Sequence, residues 1–146
     1  MIITASATSS DLDYNGLDAD DVSLTNLDND ILGVTISPLT GLETTEEGGT
    51  GSFTIVLDTQ PQSDVTIGLS ASNTDEGVVS TASVTFTNAN WNVAQMVTVT
   101  GQDDMVDDGD VDYVIVTTTA TSSDSDYSGL VIADVSAVCT SVFIWS

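Results

Sequence analysis

Short runs of alternating apolar and polar residues, separated by turn residues, constrain the fold of this chain more than any other feature. Such runs occupy residues 53–57, 65–71, 84–87 and 97–100. Alternation with a period of two is typical of strands that bury one face. The runs are rich in the β-branched residues Thr, Val and Ile, and no segment shows helical spacing. About seven short strands at this spacing predict an all-β fold, an antiparallel immunoglobulin-like Greek-key β-sandwich.

Part of the sequence occurs twice. Residues 7–23 (ATSSDLDYNGLDADDVS) and 120–136 (ATSSDSDYSGLVIADVS) are identical at 12 of 17 positions, at an offset of 113 residues. This period is too long for a solenoid turn and indicates a tandem array of whole domains. We therefore expect residues 1–30 to be the end of a preceding repeat and residues 31–146 to be a β-sandwich. Tyr14 and Tyr127 are equivalent, and we expect them to be corner residues that cover the sandwich.

The repeat also predicts an N-terminal β-hairpin. By alignment with residues 111–119 and 130–138, its strands are residues 1–8 and 17–25. An isolated hairpin is marginally stable in water, so we expect it to pair with another copy of the chain or with a preceding repeat. Repeated head to tail, such pairing makes an open filament, a homopolymer of this chain. The residues that we assign to assembly are Ile2, Ile3, Leu17, Val22 and Leu24.

The charge of the chain excludes several classes of partner. It has 23 acidic residues and no Lys, Arg or His, which gives a formal net charge of -23. Without cations it cannot neutralise nucleic-acid phosphates or use a basic patch on anionic lipid. No apolar stretch is long enough to span a bilayer, so membrane insertion is not expected. Enzymatic activity is not expected either, because there is no histidine base and only 5% of residues are aromatic, too few for a typical glycosidase cleft.

The acidic residues are concentrated at turns. Residues 103–110 hold five carboxylates in eight positions, in a loop between two strands. Like charges this close repel, and the chain has no Lys or Arg to compensate them. Calcium is bound by six to eight oxygens from carboxylates, carbonyls and water, so the loop predicts a calcium site. A solvated acidic loop is the alternative interpretation.

Four motifs in order carry a family resemblance. They are residues 45–53 (TEEGGTGSF), 74–77 (TDEG), 97–104 (VTVTGQDD) and 107–113 (DDGDVDY). The pattern resembles the Calx-beta domain of sodium-calcium exchangers and large bacterial surface proteins, over roughly residues 33–138. It is also similar to the bacterial tandem variant that ends each unit in Asn-x-Asp-x-Asp, here residues 26–30 (NLDND).

The resemblance implies calcium ions at one end of the sandwich. The ligands that it implies are Glu46, Asp75, Asp103, Asp104, Asp107 and Asp110, with the backbone carbonyl of Met105. One departure is Gln102, which stands where the family has the first Asp of an acidic triplet. A second is the acidic tail, Asp28 and Asp30, which follows the hairpin instead of the complete domain. We therefore expect a site at the junction of two units, with Asp28 and Asp30 from one unit and the acidic loop from the other.

These observations predict a non-enzymatic structural repeat that binds calcium and assembles into a fibre or adhesin stalk. The alternative is a calcium-dependent adhesion module for a glycan, ice or protein ligand. Because calcium sites of modest affinity are filled outside cells, the expected location is extracellular or at the cell surface. Cys139 is expected to be a buried strand residue, and the apolar residues 142–145 to be a docking strand or an assembly contact.

Overall fold

The computed structural model describes residues 1–141, in which all regular secondary structure is β-strand. Ten short strands follow one another along the chain. They are β1 (Val34–Ser37), β2 (Leu42–Thr45), β3 (Thr50–Leu57), β4 (Val65–Ala71), β5 (Gly77–Val79), β6 (Ser83–Phe86), β7 (Gln95–Gly101), β8 (Val111–Thr117), β9 (Thr121–Ser122) and β10 (Val135–Thr140). Several of the additional strands are too short to show a period of two in the sequence, which is why about seven were expected.

The strands form two packed sheets with one hydrophobic core between them. One sheet has the order β1-β3-β7-β5, and the other has the order β2-β10-β8-β4-β6 with β9 paired to β4. The alternating side chains predicted to point inward are buried, as Phe53, Ile55 and Leu57 show in β3. The prediction of an immunoglobulin-like β-sandwich is therefore confirmed.

One pair of strands differs from the antiparallel expectation. β2 runs parallel to β10, with Leu42 opposite Ala137, whereas β1 pairs antiparallel with β3 in the other sheet. The chain changes sheets between β1 and β2. Pro38 has no amide proton to continue the ladder of β1, and Gly41 adopts a left-handed φ of 78°. The second half of this edge segment thus joins the opposite sheet beside the last strand.

The last strand is also displaced from its predicted position. It begins at Val135 and ends at Thr140, whereas residues 130–138 were expected. Irregular backbone precedes it, because Thr117 donates through its amide to the Asp134 carboxylate (2.8 Å) and through its hydroxyl to the Ile132 carbonyl (2.9 Å). These side-chain hydrogen bonds replace the ladder that regular pairing would have formed.

The N-terminal segment folds back on itself as a hairpin with a single bridge. Ile2 and Val22 exchange two backbone hydrogen bonds of 2.7 and 3.0 Å. The predicted strands over residues 1–8 and 17–25 are reduced to this bridge, since no further strand of the described chain pairs with them. The division of the chain at residue 30 stays a prediction.

Cys139 and Tyr127, both singled out from the sequence, are buried in the sandwich. Cys139 is fully buried in β10, as expected. Tyr127 is buried beside Thr59, and its hydroxyl donates to the Thr59 carbonyl at 2.7 Å. Residues 142–145, the apolar end of the chain, lie outside the described residues. Within residues 1–141 there is no helix long and apolar enough to cross a membrane.

Candidate metal site

Three connections meet at one end of the sandwich, which we call the acidic end. They are the β2–β3 turn (residues 46–49), the β4–β5 connection (residues 72–76) and the β7–β8 loop (residues 102–110). Backbone hydrogen bonds join them, from the Gly101 amide to the Gly49 carbonyl (3.0 Å) and from the Gln102 amide to the Glu76 carbonyl (3.1 Å). The acidic loop therefore begins directly beside the other two connections.

Two glycines allow this close approach. A Cβ atom at Gly101 would overlap the backbone carbonyl of Thr45, and one at Gly77 would lie 2.5 Å from the hydroxyl of Tyr113. Any larger residue would therefore push β7 away from β2, or β5 away from β8. These glycines bring Glu76 and the acidic loop into contact.

Three carboxylates converge at the acidic end. Oxygens of Glu76, Asp104 and Asp108 all lie within 4.8 Å of one another. Glu76 is only 4% exposed, whereas the two aspartates are exposed to solvent. Among the described residues no Lys, Arg or His is available to balance this charge, since the whole sequence has none. Such a set of hard oxygen donors is the type that calcium prefers.

Burial and the neighbouring negative charges raise the pKa of both Glu46 and Glu76 at the acidic end. The pKa of Glu76 is raised, first by burial and then by the charges of Asp108 and Asp104, while a hydrogen bond from the Cys139 thiol lowers it in part. The pKa of Glu46 is also raised, by burial and then by Asp108 and the other aspartates of the acidic loop. Both glutamates therefore lie in surroundings that disfavour their ionised form.

A small polar network lies in the core behind Glu76. The hydroxyls of Thr44 and Tyr113 are 2.8 Å apart and buried. Burial raises the pKa of the Tyr113 hydroxyl and of the Cys139 thiol, so both remain protonated at neutral pH. The groups behind Glu76 are thus neutral hydrogen-bonding groups, and they add no negative charge to the acidic end.

Three of the residues predicted as ligands, Asp103, Asp104 and Met105, lie in one turn. Asp103 and Asp104 each use one carboxylate oxygen to accept the amide two residues ahead, of Met105 (2.9 Å) and Val106 (2.8 Å). Met105 is almost fully exposed and has a left-handed φ of 63°. Together these contacts form the tight turn at the start of the acidic loop.

Glu46, Asp107 and Asp110 do not belong to the group of three. Asp107 and Glu46 are close enough for the aspartate to raise the glutamate pKa. Asp110 accepts the Ser141 amide at 3.3 Å, after the end of β10. Asp75 is exposed, and its neighbour Glu76 turns toward the acidic loop in its place.

Glu76 and Asp108 belong to the group of three but are not among the ligands that the family resemblance implies. The one available signal for Glu76 is its position directly before Gly77, the buried first residue of β5. Asp108 had no such signal, because it is one of five similar aspartates in an irregular loop.

Asp28 and Asp30 lie at the opposite end of the sandwich. They line an open depression of about 270 Å³, and the other residues of its lining are Leu32, Thr59, Gln60, Gln62 and Asp126. β3 begins at the acidic end and ends here, and a strand of eight residues spans about 27 Å. Within one molecule the two groups of carboxylates are therefore separated by the length of the sandwich.

No protein-family model and no curated protein matches this sequence. Among solved structures it is similar to the periplasmic chaperone SfaE, with 10% identity and a TM-score of 0.56 over 77% of this chain and 61% of that chain. It is also similar to the apo-form Calx CBD1 domain, with 15% identity and a TM-score of 0.51 over 75% of this chain and 96% of that chain.

A third similar structure is the CsuC–CsuE chaperone-tip adhesion subunit complex of Acinetobacter baumannii Csu pili. The identity is 9% and the TM-score 0.52, over 75% of this chain and 57% of that chain. This chain thus spans less than two thirds of the two chaperone-related chains. At such low identity the comparisons establish the fold alone, which is an immunoglobulin-like β-sandwich.

Proposed function

We propose that this chain is a non-enzymatic structural repeat that binds calcium at the acidic end and is joined end to end in an extracellular fibre or adhesin stalk. The observation that carries the proposal is the convergence of buried Glu76 with Asp104 and Asp108 in a chain that lacks cationic side chains. The resemblance of the surrounding motifs to Calx-beta domains supports the same chemistry.

The described residues fit calcium better than a softer metal. All the side chains of the cluster are carboxylates, and the buried thiol of Cys139 keeps its proton because burial raises its pKa. Calcium accepts irregular sets of six to eight oxygens. Asp103, Asp107 and Glu46 supply further carboxylates around the cluster, and backbone carbonyls and water complete such sets in other proteins.

Calcium binding should depend on Glu76 more than on Asp75. The substitution Glu76→Gln keeps the shape of the side chain but removes its charge from the buried position, so we expect calcium affinity to fall by about tenfold or more, since ligand charge tunes such sites. Asp75→Asn, one residue away and exposed, should change affinity far less. Isothermal titration calorimetry of the metal-free chain measures both.

Asp64→Asn is the control for general loss of negative charge, since Asp64 is exposed at the far end of the sandwich. Equal calcium affinity in the wild-type chain and the Glu76→Gln variant would refute the assigned site. Equal losses in all three variants would indicate diffuse attraction of calcium to an acidic surface.

The positions of the two carboxylate groups support the proposed end-to-end assembly. Asp28 and Asp30 lie at one end, and the acidic loop lies at the other. When one unit follows another head to tail, Asp28 and Asp30 approach the acidic loop of the neighbouring unit. These ends repel each other without a counter-ion, so calcium is required for the ends to join.

Assembly should therefore be reversible by chelation. With calcium in the millimolar range we expect elongated filaments by negative-stain microscopy, and with EDTA we expect dispersed particles. The double substitution Asp28→Asn/Asp30→Asn should prevent filaments while calcium binding at Glu76 persists. The control substitution Asp18→Asn/Asp20→Asn removes the same charge from an exposed loop, and it should leave the filaments intact. Filaments of unchanged length in EDTA would contradict the proposal.

The extracellular location is part of the same proposal. Extracellular calcium modules work at about 10⁻⁴–10⁻³ M calcium, a level far above that of the cytosol. The SfaE chaperone, which shares the fold, is described as periplasmic. An acidic oxygen-donor site on a repeat unit suits such an environment.

A further inference from the structure

The hairpin of residues 1–25 repeats the backbone of residues 114–138 nearly bond for bond. The bridge between Ile2 and Val22 is equivalent, at the offset of 113 residues, to the β8–β10 pair of Ile115 and Val135. Three further hydrogen bonds recur in both copies. The Thr4 amide donates to the Asp21 carboxylate (2.9 Å), as the Thr117 amide does to the Asp134 carboxylate (2.8 Å). The Ala7 amide donates to the Leu17 carbonyl (2.7 Å) and the Gly16 amide to the Ala7 carbonyl (2.8 Å), and their counterparts are Ala120 amide to Leu130 carbonyl (2.9 Å) and Gly129 amide to Ala120 carbonyl (2.8 Å).

The two copies differ in what covers their side chains. Ile2 is 54% exposed and Val22 is 49% exposed, whereas their counterparts Ile115 and Val135 are completely buried. Tyr14 is 60% exposed, and its counterpart Tyr127 is 1% exposed. The hairpin therefore already has the conformation of a sandwich component, but its apolar face has no cover in the described chain.

The covered copy shows what the hairpin lacks. In the sandwich, β8 lies between β10 and β4, and β10 lies between β8 and β2. The opposite sheet covers the inward face of both strands. A partner for the hairpin must therefore supply a strand on each side and a second sheet.

We propose that the hairpin completes a second sandwich of this same repeat type that lacks its own β8–β10. By equivalence, Ile2 lies opposite the partner residue that corresponds to Ala71, and Leu24 lies opposite the one that corresponds to Leu42. The inference rests on the repeat-unit function proposed above, and it adds the identity of the partner and the register of the contact.

An intact second copy of the chain does not fit the hairpin. In such a copy the place between β2 and β4 is already filled by β10 and β8. The buried positions of Ile115 and Val135 are fully occupied, so a donated hairpin would have to displace an identical structure. The incomplete unit offers the same contacts without that displacement.

The test joins an incomplete unit to the complete chain. Residues 33–113 are placed directly before Met1, which takes the place of Val114, so that the hairpin follows an acidic loop. We expect two folded sandwiches and protection of the Ile2 and Val22 amides from hydrogen exchange by roughly 100-fold or more relative to the chain alone, since buried ladders exchange only on opening. Nuclear magnetic resonance measures this for each amide.

Matched variants distinguish packing from simple extension of the chain. Ile2→Asp/Val22→Asp in the fusion should abolish the protection while the amides of Ile115 and Val135 stay protected. Leu12→Ser should have no effect, because its counterpart Ser125 is exposed in the sandwich. A reference tandem, residues 33–138 followed directly by residues 26–146, shows whether two units in series fold.

If the reference tandem folds and the hairpin amides of the fusion remain unprotected, the inference is overturned. Protection of Ile2 and Val22 in the unextended chain that increases with concentration would identify an intact copy as the partner and would also overturn it. Calcium titration of the same fusion separates the two proposals. Protected amides without calcium binding contradict the metal function alone, and calcium binding without protection contradicts only this inference.

Discussion

Adding 10 mM calcium to the metal-free chain at pH 7 should raise its melting temperature by roughly 10 °C. A single site with a dissociation constant of about 10⁻⁴ M contributes about 2.7 kcal/mol at this concentration, and each kcal/mol shifts the melting of a domain of this size by about 3–5 °C. Under the proposed function, bound calcium would relieve the repulsion among Glu76, Asp104 and Asp108, which the unfolded chain does not concentrate at one place. Calorimetry or near-ultraviolet circular dichroism measures the shift.

The size of this shift should depend on pH in a defined direction. Burial, followed by the charges of Asp108 and Asp104, raises the pKa of Glu76 in the folded chain, whereas an unfolded glutamate titrates at about 4.3. Between these two values the folded chain binds more protons than the unfolded chain. Stability of the metal-free chain therefore falls as the pH rises through the raised pKa, and calcium should restore more stability above that pKa than below it.

The Glu76→Gln variant is the control for this pH dependence. Without metal, the stability of this variant should decline less with rising pH than that of the wild-type chain. Calcium should raise its melting temperature much less. The Asp64→Asn variant should keep both the wild-type decline in stability with pH and the wild-type response to calcium. If the stability of the metal-free wild-type chain declined with rising pH no more than that of the Glu76→Gln variant, the assigned electrostatics would be contradicted. A shift of equal size with magnesium in place of calcium would contradict a selective calcium site.

The substitution Tyr127→Ala should destabilise the chain by about 3–5 kcal/mol, as is usual when a large buried aromatic side chain is removed. Tyr127 is 1% exposed, and its hydroxyl bonds to the carbonyl and the hydroxyl of Thr59, both at 2.7 Å. The substitution thus opens a cavity and leaves the polar groups of Thr59 without their partner. Urea unfolding followed by tryptophan fluorescence measures the loss.

Tyr14→Ala is a matched control in nearly the same local sequence. Tyr14 also stands in an Asp-Tyr-x-Gly-Leu segment but is exposed, so its loss should change stability by less than about 0.5 kcal/mol. A large loss in the single chain would show that the hairpin is packed without a partner. In the fusion with residues 33–113, Tyr14→Ala and Tyr127→Ala should each lower the stability of the sandwich that contains the residue by a similar amount.

The architecture could be read from local sequence because its causes are local. Residues 53–57 alternate in the sequence, and their apolar members are buried in β3. The parallel pairing of β2 with β10 could not be read in this way. It depends on where the chain goes after Pro38 and Gly41, and on a partner strand near the other end of the sequence.

In the candidate site, too, some features could be predicted from the sequence and others depend on tertiary contacts. The sequence predicts the acidic loop and the acidic-glycine turn as parts of a metal site, because their residue types and spacing are visible. It does not show which of two adjacent acids, Asp75 or Glu76, turns toward the loop. Gly77 and Gly101 let neighbouring strands approach closely here, and in this tertiary packing Glu76 is buried while Asp75 is exposed.

The sequence by itself determined the strand pattern, the repeat and a concentration of carboxylates with no cation to balance it. Tertiary structure alone decided which carboxylates meet and which copy of the repeated segment is buried. The physical reason is that alternation and charge are properties of neighbours along the chain. Burial and repulsion depend instead on contacts between distant segments, so Tyr14 and Tyr127 share a motif but not an environment.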